Sequence, residues 1–233
     1  MEEIKLITKQ RIVQVTNSFN EKYDDFIIEK EFVFERGKIY GIIGEYGEGG
    51  EMVSALISGR VPIKEEEFYC DDIKVDYAKI QDISWYVGKS EYTKGLITRE
   101  ISVRKALINA VKKYQRYSSI DEIIEDFHLR LDRIDYGLSK YSGEKWRASL
   151  AIGYACRKEV YCFSWLNTAC FSSILLSSGV FRFFKRLKEE GCIIILPTSR
   201  KENVAGLVDE VIEIDNPRFK QVISESEYFK QYF

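Results

Sequence analysis

Short apolar runs alternate with segments of helical periodicity along most of this chain. Residues 39–43 (Ile-Tyr-Gly-Ile-Ile) form one such run, and similar runs occupy 83–88, 160–163 and 193–196. Runs of this length with few polar residues predict strands that are buried on both faces, as in a parallel sheet. Residues 102–111 differ, because their apolar positions recur at the spacing of one helix face. The alternation of the two patterns predicts an α/β fold.

The segments before and after the first apolar run are rich in β-forming residues. Runs at 4–16 and 26–34 are separated by a predicted turn at 17–25. Residues 65–76 predict short strands with Tyr69 and Cys70 pointing inward, and the acidic residues at 65–67 predict a solvated turn.

Residues 89–146 change in character and predict a helical insertion. Within it, Ser119 is a predicted N-cap, and Glu122 stands three residues later at the capping-box position. Further helices are predicted at 146–155 and 181–190, a last strand at 211–214, and a partly helical tail to residue 233.

Composition and charge reduce the number of functions that the chain is expected to have. The 233 residues include 35 basic and 37 acidic side chains, and this net charge of -2 provides no basic field for nucleic acid. No apolar run approaches the roughly 18 residues of a membrane span, and the N-terminus lacks the order of a signal peptide. Five cysteines without a CxxC pair and a single histidine predict a reducing cytoplasm and no metal site.

A glycine-rich loop follows the apolar run at 39–43. Gly44 and Gly49 stand at the two glycine positions of a phosphate-binding P-loop, and Gly47 lies between them. The position of the phosphate-binding lysine holds Gly50, and the position of the metal-binding hydroxyl holds Glu51. The loop thus keeps the spacing of a nucleotide site while lacking its charged groups.

Taken in order, these segments resemble the ATP-binding subunit of an ABC transporter, over nearly the whole chain. The resemblance covers the lead-in to Walker A, a strand before the Q-loop, the signature segment with its helix, the Walker B strand, and the switch strand with the segment after it: residues 34–44, 86–89, 138–151, 160–163 and 193–215. It implies a P-loop NTPase-like (ABC ATPase) core with an antiparallel β subdomain and a helical subdomain. Residues 1–233 would then be one such domain, with residues 1–88 and 147–233 as core and β subdomain and residues 89–146 as helical subdomain.

Matched residue by residue, the resemblance implies that most catalytic groups of the family are replaced. Lys89 stands at the Q-loop glutamine, and Ser199 at the switch histidine. The Walker B aspartate and the adjacent catalytic glutamate fall on Ser164 and Trp165. The D-loop aspartate falls near Phe171, in a stretch that aligns loosely.

The signature segment keeps more of the family pattern. Ser142 and Gly143 match it, and Glu144 stands for either a glycine or the next polar position, because the segment is one residue short. A simple helix cap is the alternative interpretation of this segment. Tyr23, with Phe19 as second choice, is the candidate aromatic for stacking on adenine, and a packing role for Tyr23 stays open.

The resemblance and the charges of the loop together predict a pseudo-ATPase. Glu45, Glu48 and Glu51 place three carboxylates in or beside a cradle for a polyanion. The predicted function is a degenerate subunit of an ABC-type membrane complex that pairs with an active ATPase subunit, or with itself, and docks on a membrane permease. It would have no cofactor of its own, would meet ATP and Mg²⁺ only in a site shared with the partner, and would lie in the cytoplasm against the permease. A nucleotide-independent scaffold or regulator is the main alternative, and an unorthodox active NTPase is a third.

Overall fold

A five-stranded parallel sheet forms the centre of the computed structural model, which describes residues 1–93, 98–141 and 143–214. The strands of the described residues are β1 (Glu3–Thr8), β2 (Arg11–Thr16), β3 (Lys22–Ile27), β4 (Lys30–Glu35), β5 (Ile39–Ile43), β6 (Glu67–Cys70), β7 (Ile73–Val75), β8 (Ser84–Tyr86), β9 (Val160–Cys162), β10 (Ile193–Thr198) and β11 (Glu210–Glu213). The parallel sheet has the order β11-β5-β10-β9-β8. Ile195 in the middle strand lies opposite both Tyr40 and Cys162.

Both faces of the parallel sheet are covered, as the apolar runs predicted. Every residue of β10 is buried. Ile194 and Leu196 point to a core that contains residues of the helical layer, whereas Ile193 and Ile195 point to a second core shared with the antiparallel strands. Since successive side chains of a strand face opposite sides, one apolar strand serves two cores.

The antiparallel part consists of a four-stranded sheet, in the order β4-β1-β6-β7, and the separate hairpin β2-β3. The predicted turn at 17–25 was too long, because β3 begins at Lys22 and pairs Tyr23 with Val15. The inward position of Tyr69 was also wrong. In β6 the side chains of Phe68 and Cys70 are buried, and Tyr69 between them faces the other side of the sheet and is partly exposed.

The helices of the described residues are α1 (Gly50–Ile57), α2 (Tyr77–Ile83), α3 (Val103–Tyr114), α4 (Ile120–Asp126), α5 (Lys145–Ala155), α6 (Thr168–Phe171), α7 (Phe184–Glu189) and α8 (Lys201–Val204). A short π-helix spans Ser172–Ser177, and 3-10 turns span Leu138–Lys140 and Val180–Phe183. The predicted helix at 181–190 is therefore divided into a 3-10 turn and α7. Ser119 caps α4 as predicted, by accepting a hydrogen bond from the Glu122 N–H group.

Two helices carry most of the helical layer. Val103, Leu107 and Ala110 form the buried face of α3, which packs on α5. Residues 94–97 and 142, and the predicted helical tail from 215, lie outside the described residues. Among the helices that the structure describes, none is long and apolar enough to cross a membrane.

Candidate functional site

The glycine loop connects β5 to α1 through residues 44–49, as a P-loop would. Gly47 and Gly49 have φ angles of 83° and 102°, which are backbone conformations that favour glycine. A Cβ atom on Gly49 would also lie 2.8 Å from the Phe26 carbonyl oxygen. The loop conformation and its close contact with β3 therefore require these glycines.

A carboxylate of the same chain lies against the start of α1. Asp25, a buried residue of β3, accepts hydrogen bonds from the N–H groups of Gly49 (2.7 Å) and Met52 (2.6 Å). The next residue, Phe26, donates its own N–H group to the Gly47 carbonyl oxygen at 2.9 Å. These N–H groups of Gly49 and Met52 belong to the loop and the first helical turn, which bind anions in P-loop proteins. An internal anion thus occupies donors that a phosphate would use.

The electrostatics of Asp25 reflect two opposing effects. Burial raises the pKa of its carboxyl group, whereas the hydrogen bonds from Gly49 and Met52 lower it, and burial is the larger effect. A second internal carboxylate, that of Glu48, accepts a hydrogen bond from the Glu45 N–H group at the beginning of the loop.

Glu51 in the first turn of α1 is another buried acid of this region, with 1% of its surface exposed, as for Asp25. Its carboxylate accepts hydrogen bonds from the Tyr86 hydroxyl, from the Trp165 N–H group (2.8 Å) and from the Tyr23 hydroxyl (3.5 Å). Burial raises the pKa of Glu51 from 4.5 to about 7, although the bonds from Tyr86 and Trp165 oppose the shift. The side chain at the expected position of the metal-binding hydroxyl is therefore engaged within the protein.

Ser164, at the expected Walker B position, extends this network. Its hydroxyl lies 2.7 Å from the Tyr86 hydroxyl and 2.7 Å from the Ser18 hydroxyl, and it accepts the Ser18 N–H group at 2.8 Å. A continuous chain of hydroxyl groups therefore links the Glu51 carboxyl to the turn after β2. The hydroxyl groups of this chain can each donate toward Glu51 when its carboxylate is charged. They can donate in the opposite direction when the Glu51 carboxyl group is protonated.

Trp165, at the expected position of the catalytic glutamate, packs against one side of the glycine loop. Its indole N–H group donates to the Gly44 carbonyl oxygen at 2.8 Å. A Cβ atom on Gly50 would lie 3.1 Å from the Trp165 ring, so Trp165 restricts the space for a side chain at the expected lysine position. Tyr46 of the loop packs edge-on against Trp165 at 5.4 Å between ring centroids and stacks on Tyr23 at 4.2 Å. One face of the candidate adenine platform Tyr23 is thus covered by the loop itself.

Two lysines hold the turn that connects β2 to β3. The Nζ atom of Lys89 lies 3.3 Å from the Asn17 carbonyl oxygen and 3.3 Å from Asn20 Oδ1, and buried Lys145 donates to the Ser18 carbonyl oxygen. Burial and, to a smaller extent, the charge of Lys89 together lower the pKa of Lys145 to about 8. Lys89, at the expected Q-loop position, is therefore half-buried and not a free surface cation.

Two of the three signature-like residues, Gly143 and Glu144, lie directly before α5. Ser142 is outside the described residues. Gly143 is exposed, and a Cβ atom added to it would have no neighbour within 4 Å. The Glu144 carboxylate pairs with Arg147 at 2.5 Å. Ser199 follows the end of β10 and is partly exposed.

The structure therefore brings together most of the predicted loop residues, and it adds five that the sequence reasoning missed. One connected cluster contains Gly44, Gly49, Gly50, Glu51, Ser164, Trp165 and Tyr23, whereas Glu144 pairs with Arg147 outside this cluster. The missed residues are Ser18, Asp25, Tyr46, Tyr86 and Lys145. The only sequence signal for Asp25 was an acidic pair, at 24–25, next to an apolar run.

Several solved structures with the same architecture are ATP-binding cassettes of ABC transporters. CbiO1 from Clostridium perfringens, part of the ABC transporter complex CbiONQ, superposes with a TM-score of 0.61 at 16% identity, covering 99% of this chain and 94% of that chain. The cassette MJ0796, in a dimeric post-hydrolysis state bound to ADP and Pi, superposes with a TM-score of 0.63 at 16% identity. The superposition covers 91% of this chain and 94% of that chain. An ABC transporter ATP-binding protein from Pyrococcus furiosus superposes with a TM-score of 0.58 at 18% identity. The superposition covers 91% of this chain and 97% of that chain.

No protein-family model and no curated protein matches the sequence. At these identities the superpositions establish the fold, and the chain has the ABC ATPase fold, a P-loop NTPase-like architecture with a parallel and an antiparallel sheet. The fold class predicted from the sequence is confirmed.

Proposed function

We propose that this chain is a catalytically degenerate ATP-binding-cassette subunit of an ABC transporter-type membrane complex, with little or no ATP binding or hydrolysis of its own. It pairs with an active ATPase subunit, or with a second copy of itself, and docks on a membrane permease. It therefore lies in the cytoplasm at the membrane and has no nucleic-acid partner. The CbiO1 structure is described as part of a transporter complex, which supports this assignment by likeness of fold.

The main support for the proposal is that acidic side chains of the chain itself bind the N–H groups of the glycine loop. A triphosphate at this loop would have to displace Asp25 from the Gly49 and Met52 N–H groups, and would then face Glu51 at a distance of one helical turn or less. Each contact at about 4 Å between a phosphate charge and a charged carboxylate costs on the order of 4 kcal/mol at an effective dielectric of about 20, and for Glu51 this applies above its pKa of about 7. With Gly50 in place of the lysine, no cation of the loop offsets this cost.

The exposed residue ahead of α5 supports a role in a shared site. Gly143 is open to solvent two residues before the helix begins at Lys145, and the first N–H groups of a helix have no acceptor within it and favour an anion. In the proposed pair, Ser142, Gly143 and Glu144 face the nucleotide held by the partner, which supplies the lysine, the Walker B acids and the histidine. ATP and Mg²⁺ then bind only in that composite site. The site built on Gly50 and Glu51 stays empty.

Two measurements test the nucleotide part of this proposal. Titration of Mg-ATP into the purified chain, followed by calorimetry, is expected to give no saturable binding tighter than about 1 mM. A phosphate-release assay is expected to give no turnover above buffer. Saturable binding, or an ordered triphosphate against residues 47–51 in nucleotide-soaked crystals, would refute it. Turnover by the chain alone would instead establish an active NTPase.

The partner is tested in the complex. Affinity purification of the tagged chain from native membranes is expected to recover a second ATP-binding subunit and a permease. ATP hydrolysis by that complex is expected to be lost in Gly143→Arg and Ser142→Arg. It is expected to persist in Ile73→Arg, a matched change at an exposed residue of the antiparallel sheet. Unchanged hydrolysis in both signature variants would exclude the composite site.

A nucleotide-independent scaffold is the second candidate function, and the same filled loop favours it. In that case the chain would bind the permease through the same surfaces, and the complex would contain no second ATP-binding subunit. The composition of the purified complex therefore distinguishes the two functions.

A further inference from the structure

A cavity of about 520 Å³ opens beside the glycine loop and contains a cluster of aromatic side chains. Three aromatic residues, Phe19, Tyr46 and Trp165, line it. The remaining lining residues are Asn17, Glu21, Asn167 and Cys170. We call this space the aromatic cavity.

The aromatic walls are held in place from behind. Trp165 is fixed by its indole hydrogen bond to the Gly44 carbonyl oxygen, and Tyr46 by stacking on Tyr23. The rings of Tyr46 and Trp165 meet at 70°, so they form two walls of a corner. Phe19 packs against Trp146 at 5.5 Å between centroids, and 39% of its surface is exposed. Rings that are already ordered lose little conformational entropy when a ligand binds.

The charge of the aromatic cavity is negative. Glu21 is the only charged side chain among the described lining residues, and the Asn17 amide donates to its carboxylate at 2.8 Å. The pKa of the Tyr46 hydroxyl is raised by burial and then by the charges of Glu21, Asp25 and Glu51. Lys89 and Lys145 contact carbonyl oxygens of the turn and do not line the space.

We propose that the aromatic cavity binds a small organic cation that carries a methylated ammonium group. Aromatic faces set at an angle attract such a cation through their quadrupoles, and its weak hydration makes desolvation less costly than for a primary amine. The carboxylate of Glu21 supplies the counter-charge. The volume leaves room for a substituent on the nitrogen. This proposal does not depend on the proposed function, since no residue of the composite site at 142–144 takes part.

Choline, with its uncharged isostere 3,3-dimethylbutan-1-ol, provides a direct test. In protein labelled with ¹⁵N-tryptophan, each of the three indole N–H groups gives its own NMR signal. Choline is expected to shift the Trp165 signal in a saturable way, with a Kd on the order of 1 mM. The Trp85 indole donates to Ser149 at 3.1 Å and serves as the internal control, whose signal is expected to stay unchanged. The isostere is expected to bind about tenfold more weakly or worse, because it lacks the charge.

Variants distinguish the aromatic cavity from general effects. Glu21→Gln and Tyr46→Leu are each expected to weaken choline binding by about fivefold or more. Glu125→Gln removes an exposed charge on α4, and Tyr136→Leu removes a tyrosine of matched exposure (49%, against 48% for Tyr46). Both controls are expected to bind as the unchanged chain does.

Three results would overturn the proposal. The first is equal binding of choline and its isostere, which would mean that only apolar contact is recognised. The second is tighter binding of adenosine than of choline, which would make the aromatic cavity a base-stacking site. The third is the absence of any Trp165 shift at choline concentrations up to about 50 mM, well beyond the expected Kd.

Discussion

Replacing Glu51 by glutamine gives a prediction with a defined pH window. The carboxyl group is buried with 1% exposure, and its pKa is raised from 4.5 in an ordinary glutamate to about 7 by burial. Between these values the folded chain holds a proton that the unfolded chain has released. The free energy of unfolding therefore falls as the pH rises from about 4.5 to about 7, and the contribution of protonated Glu51 is fully present only below that window.

The magnitude is set by the size of the shift. A difference of about 2.5 pKa units corresponds to about 3 kcal/mol, since each unit is worth about 1.4 kcal/mol. Glutamine has the shape of the protonated acid, and it can accept the Trp165 N–H group and donate to the Tyr86 hydroxyl. We expect Glu51→Gln to have nearly the stability of the unchanged chain at pH 5 and to be more stable by about 3 kcal/mol at pH 8.

Urea unfolding of both proteins at several pH values between 5 and 8 measures this difference. Asp25 is shifted in the same direction and is present in both proteins, and its charge contributes to the raised pKa of Glu51, so the comparison measures Glu51 together with this interaction. A difference in stability that stays constant from pH 5 to pH 8 would refute the assignment of a raised pKa to Glu51. A variant that is less stable at every pH would show that the hydrogen bonds of the carboxylate outweigh its burial.

Three further predictions concern the glycine loop. Asp25→Asn leaves either the Gly49 or the Met52 N–H group without an acceptor. We therefore expect it to lower the free energy of unfolding, measured in urea, by about 1–3 kcal/mol. An unchanged free energy of unfolding would mean that water replaces the carboxylate. Gly49→Ala is expected to cost more than about 2 kcal/mol, because of its φ angle of 102° and the contact at 2.8 Å, whereas Gly143→Ala, with open space around it, is expected to cost less than about 0.5 kcal/mol. Equal costs in thermal unfolding would contradict the loop geometry. Gly50→Lys alone is not expected to produce binding of Mg-ATP in calorimetry, since the Cβ atom of the lysine would lie 3.1 Å from the Trp165 ring. Binding by this variant would show that the loop opens readily.

The acidic run at 65–67 illustrates how a local pattern can mislead. Three successive glutamates predicted a solvated turn, yet Glu66 is buried and its carboxylate lies 2.5 Å from Arg11 Nε. The run instead leads directly into β6. Charge alone indicates that a residue is costly to bury, but a partner distant in sequence offsets that cost.

The sequence by itself determined the architecture. Apolar runs bounded by turns are buried wherever they occur, so the strands β5, β9 and β10 and the helix pattern of α3 could be predicted from local periodicity. The spacing of Gly44 and Gly49 likewise placed a loop between a strand and a helix, because positive φ angles restrict the residue type locally.

Only the tertiary structure decided what fills the loop. Asp25 reaches the Gly49 and Met52 N–H groups across 24 and 27 residues of chain, and Tyr86 reaches Glu51 across 35. Periodicity indicates which side chains are buried, but it carries no information on which distant groups they meet. The partners of a buried acid, and therefore its pKa, depend on how the hairpin β2-β3 and the parallel sheet pack together.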